Sequence, residues 1–146
     1  MLYLISYLGF NRTFTYDKMV KDIPQDDHQA HEEADESLGA KIEHCMDEQM
    51  LYLQKELKIG DLVQIVGSCR TYVSNYINQT KNMSFSDYVN SLRIEKSKQI
   101  LVQEQDVKMV DLADRMGFTS EQSFFRNFKK FTGMTPAQWK KKNSSR

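Results

Sequence analysis

The chain has 146 residues, with 20 Lys and Arg against 20 Asp and Glu, and its formal net charge of 0 argues, taken as a total, against a polyanionic partner. Its 40% hydrophobic content suffices for the core of one ordinary domain, or of two small lobes sharing a helix. No run approaches the roughly 18 apolar residues that span a bilayer. The zero is nevertheless a sum of unequal parts. Residues 1–36 hold 8 acids and 3 bases, residues 37–146 hold 12 acids and 17 bases, and residues 120–146 set Glu121 alone against seven bases. An acidic head and a basic tail point to nucleic acid or a membrane surface. Cys45 and Cys69 lie 24 residues apart with no partner motif and no secretory signal before them, so a reduced cytoplasmic interior is the expected compartment. With only 2 Pro and 6 Gly, and Lys, Glu, Gln, Leu and Met plentiful, helices are favoured over strands.

Residues 1–16 are apolar and aromatic, with neither helical nor alternating periodicity, and they lack the basic start and cleavage site of a signal peptide. Three readings stand: a strand or helix packed on the domain, pairing with a second copy of the chain, or the end of a transmembrane helix in a longer parent; packing or self-association ranks first. Residues 17–37, with Pro24 and a dense set of acids, read as a solvated linker. His28, His31, Glu32, Glu33 and Asp35 have the residue types of a metal site, but a solvated acidic tether accounts for them and no metal is expected. From Leu38, apolar residues at Leu38, Ile42, Cys45, Met46, Met50 and Leu53 recur every three or four positions and predict an amphipathic helix of about five turns. Its methionines read as core filler. A second long stripe, Phe85, Tyr88, Val89, Leu92, Ser97, Ile100 and Leu101, predicts a middle helix with Ser84 as N-cap.

An internal repeat flanks that middle helix. At an offset of 50, Lys58 falls on Lys108, Asp61 on Asp111, Leu62 on Leu112, Val63 on Ala113 and Gly67 on Gly117. The offset then becomes 51, one extra residue lying in the second turn, and Val73 meets Phe124, Ile77 meets Phe128 and Asn82 meets Gly133. Each unit reads as a short helix ended by a glycine suited to a left-handed cap. A second helix follows, burying one apolar pair four residues apart and ending at another residue that tolerates the left-handed region. Helix, glycine turn and helix with a polar outer face is the helix-turn-helix pattern.

Over residues 38–142 the chain resembles the AraC family of bacterial transcription regulators. The most specific stretch is DLADRMGFTSEQSFFRNFKKFTGMTPAQW, Asp111 to Trp139, similar to the family's second helix-turn-helix. FSDYVNSLRIEKSKQIL, Phe85 to Leu101, is similar to its linker helix with Arg93, and Asp61 to Asn82 to its first unit. The resemblance implies an all-α fold, a seven-helix bundle of two helix-turn-helix lobes joined by a long linker helix. It also implies recognition helices entering successive major grooves on one face of a duplex, about 34 Å apart. Three positions depart from the pattern: Cys69 stands where Ser or Thr usually caps the first recognition helix, Val63 is bulkier than the usual small residue, and Ser97 replaces a common alanine. They imply a looser first lobe with weaker base reading.

With Val73 and Ile77 inward, the first recognition helix offers Arg70, Thr71, Ser74 and Asn75; with Phe124 and Phe128 inward, the second offers Ser120, Glu121, Gln122, Phe125 and Arg126. The resemblance puts base contacts at the same positions. The chemistry agrees, because Arg reads guanine, Asn and Gln read adenine, and Glu accepts from cytosine. Phe125 suits a thymine methyl or packing against Trp139. Lys129, Lys130, Lys140, Lys141 and Lys142 suit phosphates. Lys58 and Lys108 replace Ser-like caps at equivalent helix starts, where a lysine opposes the helix dipole but suits a docked phosphate. A solvated polar face is the bland account of all these residues, and it is the repeat that weighs against it.

No Gly-rich phosphate loop, HExxH, nucleophile elbow or Cys with a paired His occurs, so catalysis is not expected, and no cofactor or small-molecule ligand is expected within this chain. Double-stranded DNA is the expected partner, with RNA polymerase and a second copy of the chain, through residues 1–16, as further candidates. Two alternatives stay open: the DNA-binding effector end of a longer membrane or two-component sensor, since residues 1–36 cannot form a ligand-binding barrel, and a basic helical module for an acidic protein or an anionic membrane. The organisation expected is an N-terminal segment and linker over 1–37, a double helix-turn-helix domain over 38–142 and a disordered tail over 143–146.

Overall fold

Helix-favouring composition and the spacing of the apolar residues translate directly into local structure. The computed structural model describes residues 37–104 and 106–143, and the expectations placed on residues 1–36 and 144–146 lie outside the described residues. Among the described residues the chain is all α, with seven helices and no strand. Residues 37–48 form α1, its last stretch His44–Glu48 widened into a π turn. Then come α2 (Ile59–Val66), α3 (Arg70–Lys81), α4 (Phe85–Gln103), α5 (Met109–Arg115), α6 (Glu121–Thr132) and α7 (Pro136–Asn143). Residue 37, assigned above to the linker, is already helical, and Asn143, assigned to the tail, closes α7 with its amide donating to the Trp139 carbonyl at 2.8 Å.

The first helix is shorter than the five turns its stripe predicts. Leu38, Ile42, Cys45 and Met46 are buried as expected, but Met50 adopts a left-handed conformation (φ 50°, ψ 38°) and stands 40% exposed. Chain direction changes there, Leu51–Leu53 form a single 3-10 turn, and Tyr52 takes the buried place instead. A straight helix would carry Leu51 to Leu53 away from the rest of the molecule. The reversal lays them on α4, where the Tyr52 carbonyl and that of the following Gln54 have a partner in Arg93.

Both repeat units close as their sequences predict. Gly67 (φ 66°) ends α2, donating its N–H to the Val63 carbonyl at 3.1 Å, and Gly117 (φ 75°) follows α5. Asn82 (φ 53°) and Gly133 (φ 76°) cap α3 and α6 in the same left-handed region. The longer second turn carries Phe118, which is buried. Each unit has its own core. Val73 and Ile77 lie with Leu62, Val66 and the α1 residues in one cluster, and Phe124 and Phe128 with Leu112, Ala113, Met116 and Phe118 in the other.

The middle helix belongs to both lobes. Ser84 caps it, its Oγ accepting from the Asp87 N–H at 3.2 Å. Its first half gives Tyr88 and Val89 to one cluster, and its second half gives Ile94, Ile100 and Leu101 to the other. Burial on opposite faces explains why a one-sided stripe left out Ile94, which is fully buried. Ser97 is also fully buried, its hydroxyl donating to the Ile94 carbonyl at 2.7 Å.

Candidate nucleic-acid interface

Burying Val73 and Ile77 turns Arg70, Thr71 and Asn75 outward on α3, all exposed, with Ser74 half-buried and its Oγ accepting from Asn78 at 3.5 Å. Burying Phe124 and Phe128 does the same on α6, where Gln122 and Arg126 are exposed one turn apart. Ser120 is the N-cap of α6, its Oγ accepting from the Ser123 N–H at 3.1 Å, so that one of its two acceptor lone pairs is used and its proton and the other lone pair remain for a ligand. Glu121 is half-buried in the first turn, where a carboxylate suits the helix dipole. Phe125 is half-buried against the second core cluster with its ring edge-on to Phe124 at 5.9 Å, and Trp139, packed on the same cluster, meets Phe128 at 6.3 Å.

The two recognition helices start differently. Cys69, the N-cap of α3, has the extended backbone of a cap (φ −105°, ψ 158°), yet its side chain makes no capping hydrogen bond. Their charges differ as well. On α3 the bases are Arg70 and Lys81, and Lys81 is drawn away by Glu43 at 3.0 Å. Its pKa is raised, chiefly by that hydrogen bond. On α6, Arg126, Lys129 and Lys130 are all exposed. Lys130 reaches Asp87 at the start of α4 at 2.6 Å, so it ties α6 to the middle helix as well as adding charge. In α7, Lys140 is half-buried and donates to the Glu104 carbonyl at 3.2 Å, and Lys141 and Lys142 are exposed.

Lys58 and Lys108 are exposed and occupy the N-cap positions of α2 and α5. At α2 the Lys58 N–H already donates to the Asp61 carboxylate at 2.8 Å.

Between the lobes, beside α6, lies a cleft of about 530 Å³ lined by Asn90, Arg93, Gly117, Ser123, Arg126 and Asn127 among others. Asn127 was not singled out in the sequence. It is buried on the inner side of α6, donating to the Ser123 carbonyl at 2.9 Å. The available signal was its position, one turn after Ser123 and directly before the inward-facing Phe128. No group of side chains suited to a metal ion occurs among the described residues, and none of the described helices is long and apolar enough to cross a membrane.

Two helix-turn-helix units, each with its own core and a polar outward face, mounted on one shared helix, define a double helix-turn-helix protein, an architecture suited to duplex DNA. Residues 62–142 match the helix-turn-helix domain family, and the chain belongs to that family, in its AraC-type form. It is 31% identical over 100 residues to an uncharacterized HTH-type transcriptional regulator of Staphylococcus aureus (strain MSSA476), an overlap covering 68% of this chain and 13% of that protein. With YtdP of Bacillus subtilis (strain 168), another HTH-type transcriptional regulator, it shares 29% identity over 92 residues, 63% of this chain and 12% of YtdP. The chain thus spans about an eighth of the length of these relatives. Among solved structures, the C-terminal domain of AraT, a response regulator from Geobacillus stearothermophilus, superposes with a TM-score of 0.64 at 21% identity, covering 73% of this chain and 85% of that one. The DNA-binding domain of AdpA, solved in complex with a target DNA, gives 0.63 at 14% identity, covering 72% and 94%; both likenesses concern the fold.

Proposed function

We propose that this chain is a sequence-specific, DNA-binding transcription regulator that places α3 and α6 in successive major grooves on one face of a duplex. The observation that carries the reading is the duplicated unit: each second helix buries its apolar pair completely and leaves donors and acceptors of base-reading type outward. Arg70, Thr71, Ser74 and Asn75 on α3, and Ser120, Glu121, Gln122, Phe125 and Arg126 at α6, are the proposed base contacts, with Gln122 and Arg126 central because both are exposed on one face. Lys58, Lys108, Lys129, Lys130, Lys140 and Lys141 supply phosphate contacts and register. The basic surplus lies around α6 and α7, so the second lobe supplies more of the non-specific attraction. In this reading the protein works in the cytoplasm without catalysis and binds an asymmetric site as a monomer, its two lobes supplying both half-site contacts; RNA polymerase and a second copy of the chain are the further candidate partners, and sedimentation tests the second.

Gel-shift titration after selection of a site from random DNA tests the proposal. Arg126→Ala is expected to lose about 1–3 kcal/mol on the selected site and to relax preference at one base position. Uniform weakening on all sequences makes Arg126 a phosphate contact, and absence of any selected sequence refutes specific reading. Lys58→Ala or Lys108→Ala should each lower the slope of log affinity against log salt by about one unit, and an unchanged slope removes that lysine from the interface.

A second reading is favoured by the small share of the relatives' length that is matched and by the response-regulator description of AraT. In it the segment is the DNA-binding effector end of a longer membrane or two-component sensor. The mass of the native protein, detected with an antibody to residues 38–142, separates the two.

A further inference from the structure

Two lobes that share one helix are joined through α4 alone unless something else bridges them. Here a second connection exists. Residues 50–57, the strap between α1 and α2, begin and end near two left-handed non-glycine residues, Met50 (φ 50°) and Glu56 (φ 54°). Such conformations persist only where their surroundings over-determine them. The surroundings belong to both lobes. Leu53 packs against both core clusters. Arg93, 7% exposed on α4, donates from Nε to the Tyr52 carbonyl at 2.6 Å and from Nη2 to the Gln54 carbonyl at 2.8 Å.

That guanidinium also lies over the ring of Phe118 in the second lobe, 5.3 Å from its centroid, so one side chain grips the strap and faces the turn of the second helix-turn-helix. The same turn approaches the strap directly: a Cβ on Gly117 would stand 2.5 Å from the Leu53 carbonyl oxygen, and its φ of 75° disfavours any side chain as well. At the rim, Lys55 of the strap pairs with Asp114 of α5.

We infer that the strap, gripped by Arg93 and seated on Gly117, is a second tie that sets the relative placement of α3 and α6, and that Arg93 is a positioning residue for half-site spacing. The part concerning DNA rests on the proposed function. Two linked reading modules gain from each other only while geometry lets both engage, so lobes held in one arrangement accept one half-site spacing.

The test has one arm without DNA. Spin labels on Cys69 and on Gln122→Cys, in a Cys45→Ala background, report the distance between the starts of the two recognition helices in solution. The parent should give one narrow distribution, and Arg93→Met, which keeps bulk but loses both strap bonds, should broaden it. In the DNA arm, inserting or deleting one base pair between half-sites should weaken parental binding on the order of a hundredfold and Arg93→Met less than about tenfold, with binding to an isolated half-site unchanged. Should Arg93→Met fail to fold, Lys55→Glu, which sets two exposed carboxylates against each other at the rim, should broaden the distribution in the same direction. An unaltered narrow distribution in the folded variant overturns the inference. A broadened distribution together with no sequence-selective binding by the parent supports the tie while refuting the DNA reading.

Discussion

Replacing Cys69 by serine should stabilise the protein, and the structure contains its own control. Residue 69 already has the extended backbone of an N-cap, φ −105° and ψ 158°, so a serine there needs no rearrangement of the chain. The equivalent residue at the other recognition helix, Ser120, uses a similar extended backbone and accepts the Ser123 N–H at 3.1 Å. By the same spacing, a serine Oγ at 69 meets the Tyr72 N–H, an amide of the first helical turn that the cysteine leaves uncapped; a thiol sulfur is only a weak acceptor. Because Cys69 is exposed, exchanging sulfur for oxygen forfeits no packing. N-cap replacements span about 0.5–2 kcal/mol, and with nothing lost on the other side Cys69→Ser should gain about 1 kcal/mol. For a unit of this size that corresponds to a rise in Tm of roughly 4–8 °C. Thermal unfolding followed by circular dichroism, with urea unfolding to confirm an unchanged m value, measures it. Cys69→Ala is the comparison: if serine and alanine give the same Tm, the gain is not a cap and the argument fails.

Ser97→Ala should leave stability unchanged or raise it by up to about 1 kcal/mol, because its buried hydroxyl bonds only to a carbonyl of its own helix, a bond worth little beyond its desolvation; a loss above about 2 kcal/mol in urea unfolding contradicts this. Glu104 is held below the usual carboxylate range, chiefly by its hydrogen bonds to Arg115, at 2.8 and 2.9 Å. A depressed folded-state pKa stabilises above the unfolded value, near 4.3, and its contribution is lost as pH falls through the folded one. The stability difference between the parent and Glu104→Gln should therefore be constant at neutral pH and vanish in acid; a difference that grows in acid reverses the sign and refutes the pairing.

Much of this protein was readable from residues close together in the chain. Apolar residues three and four apart placed α1 and α4, the internal repeat placed α2, α3, α5 and α6, Gly67, Asn82, Gly117 and Gly133 ended helices where the left-handed region was needed, and the same repeat separated inward Val73, Ile77, Phe124 and Phe128 from outward Arg70, Asn75, Gln122 and Arg126. Helices, caps and faces depend on neighbours within about two turns, so pattern suffices for them.

Contacts between distant segments were decided by the tertiary structure. Met50 looked like one more member of a helical stripe, yet the chain reverses there because Tyr52 and Gln54 turn their carbonyls to Arg93, 41 and 39 residues onward. Gly117 looked like a helix terminator, and it is also the surface on which the Leu53 carbonyl rests. Lys130 read from the sequence as a phosphate contact, and in the fold its ammonium also holds α6 to α4 through Asp87. The sequence by itself determined two helix-turn-helix units and the faces they present. How those faces stand relative to each other follows from hydrogen bonds, an ion pair and a backbone approach across tens of residues, which become neighbours only once both cores have formed around the shared helix.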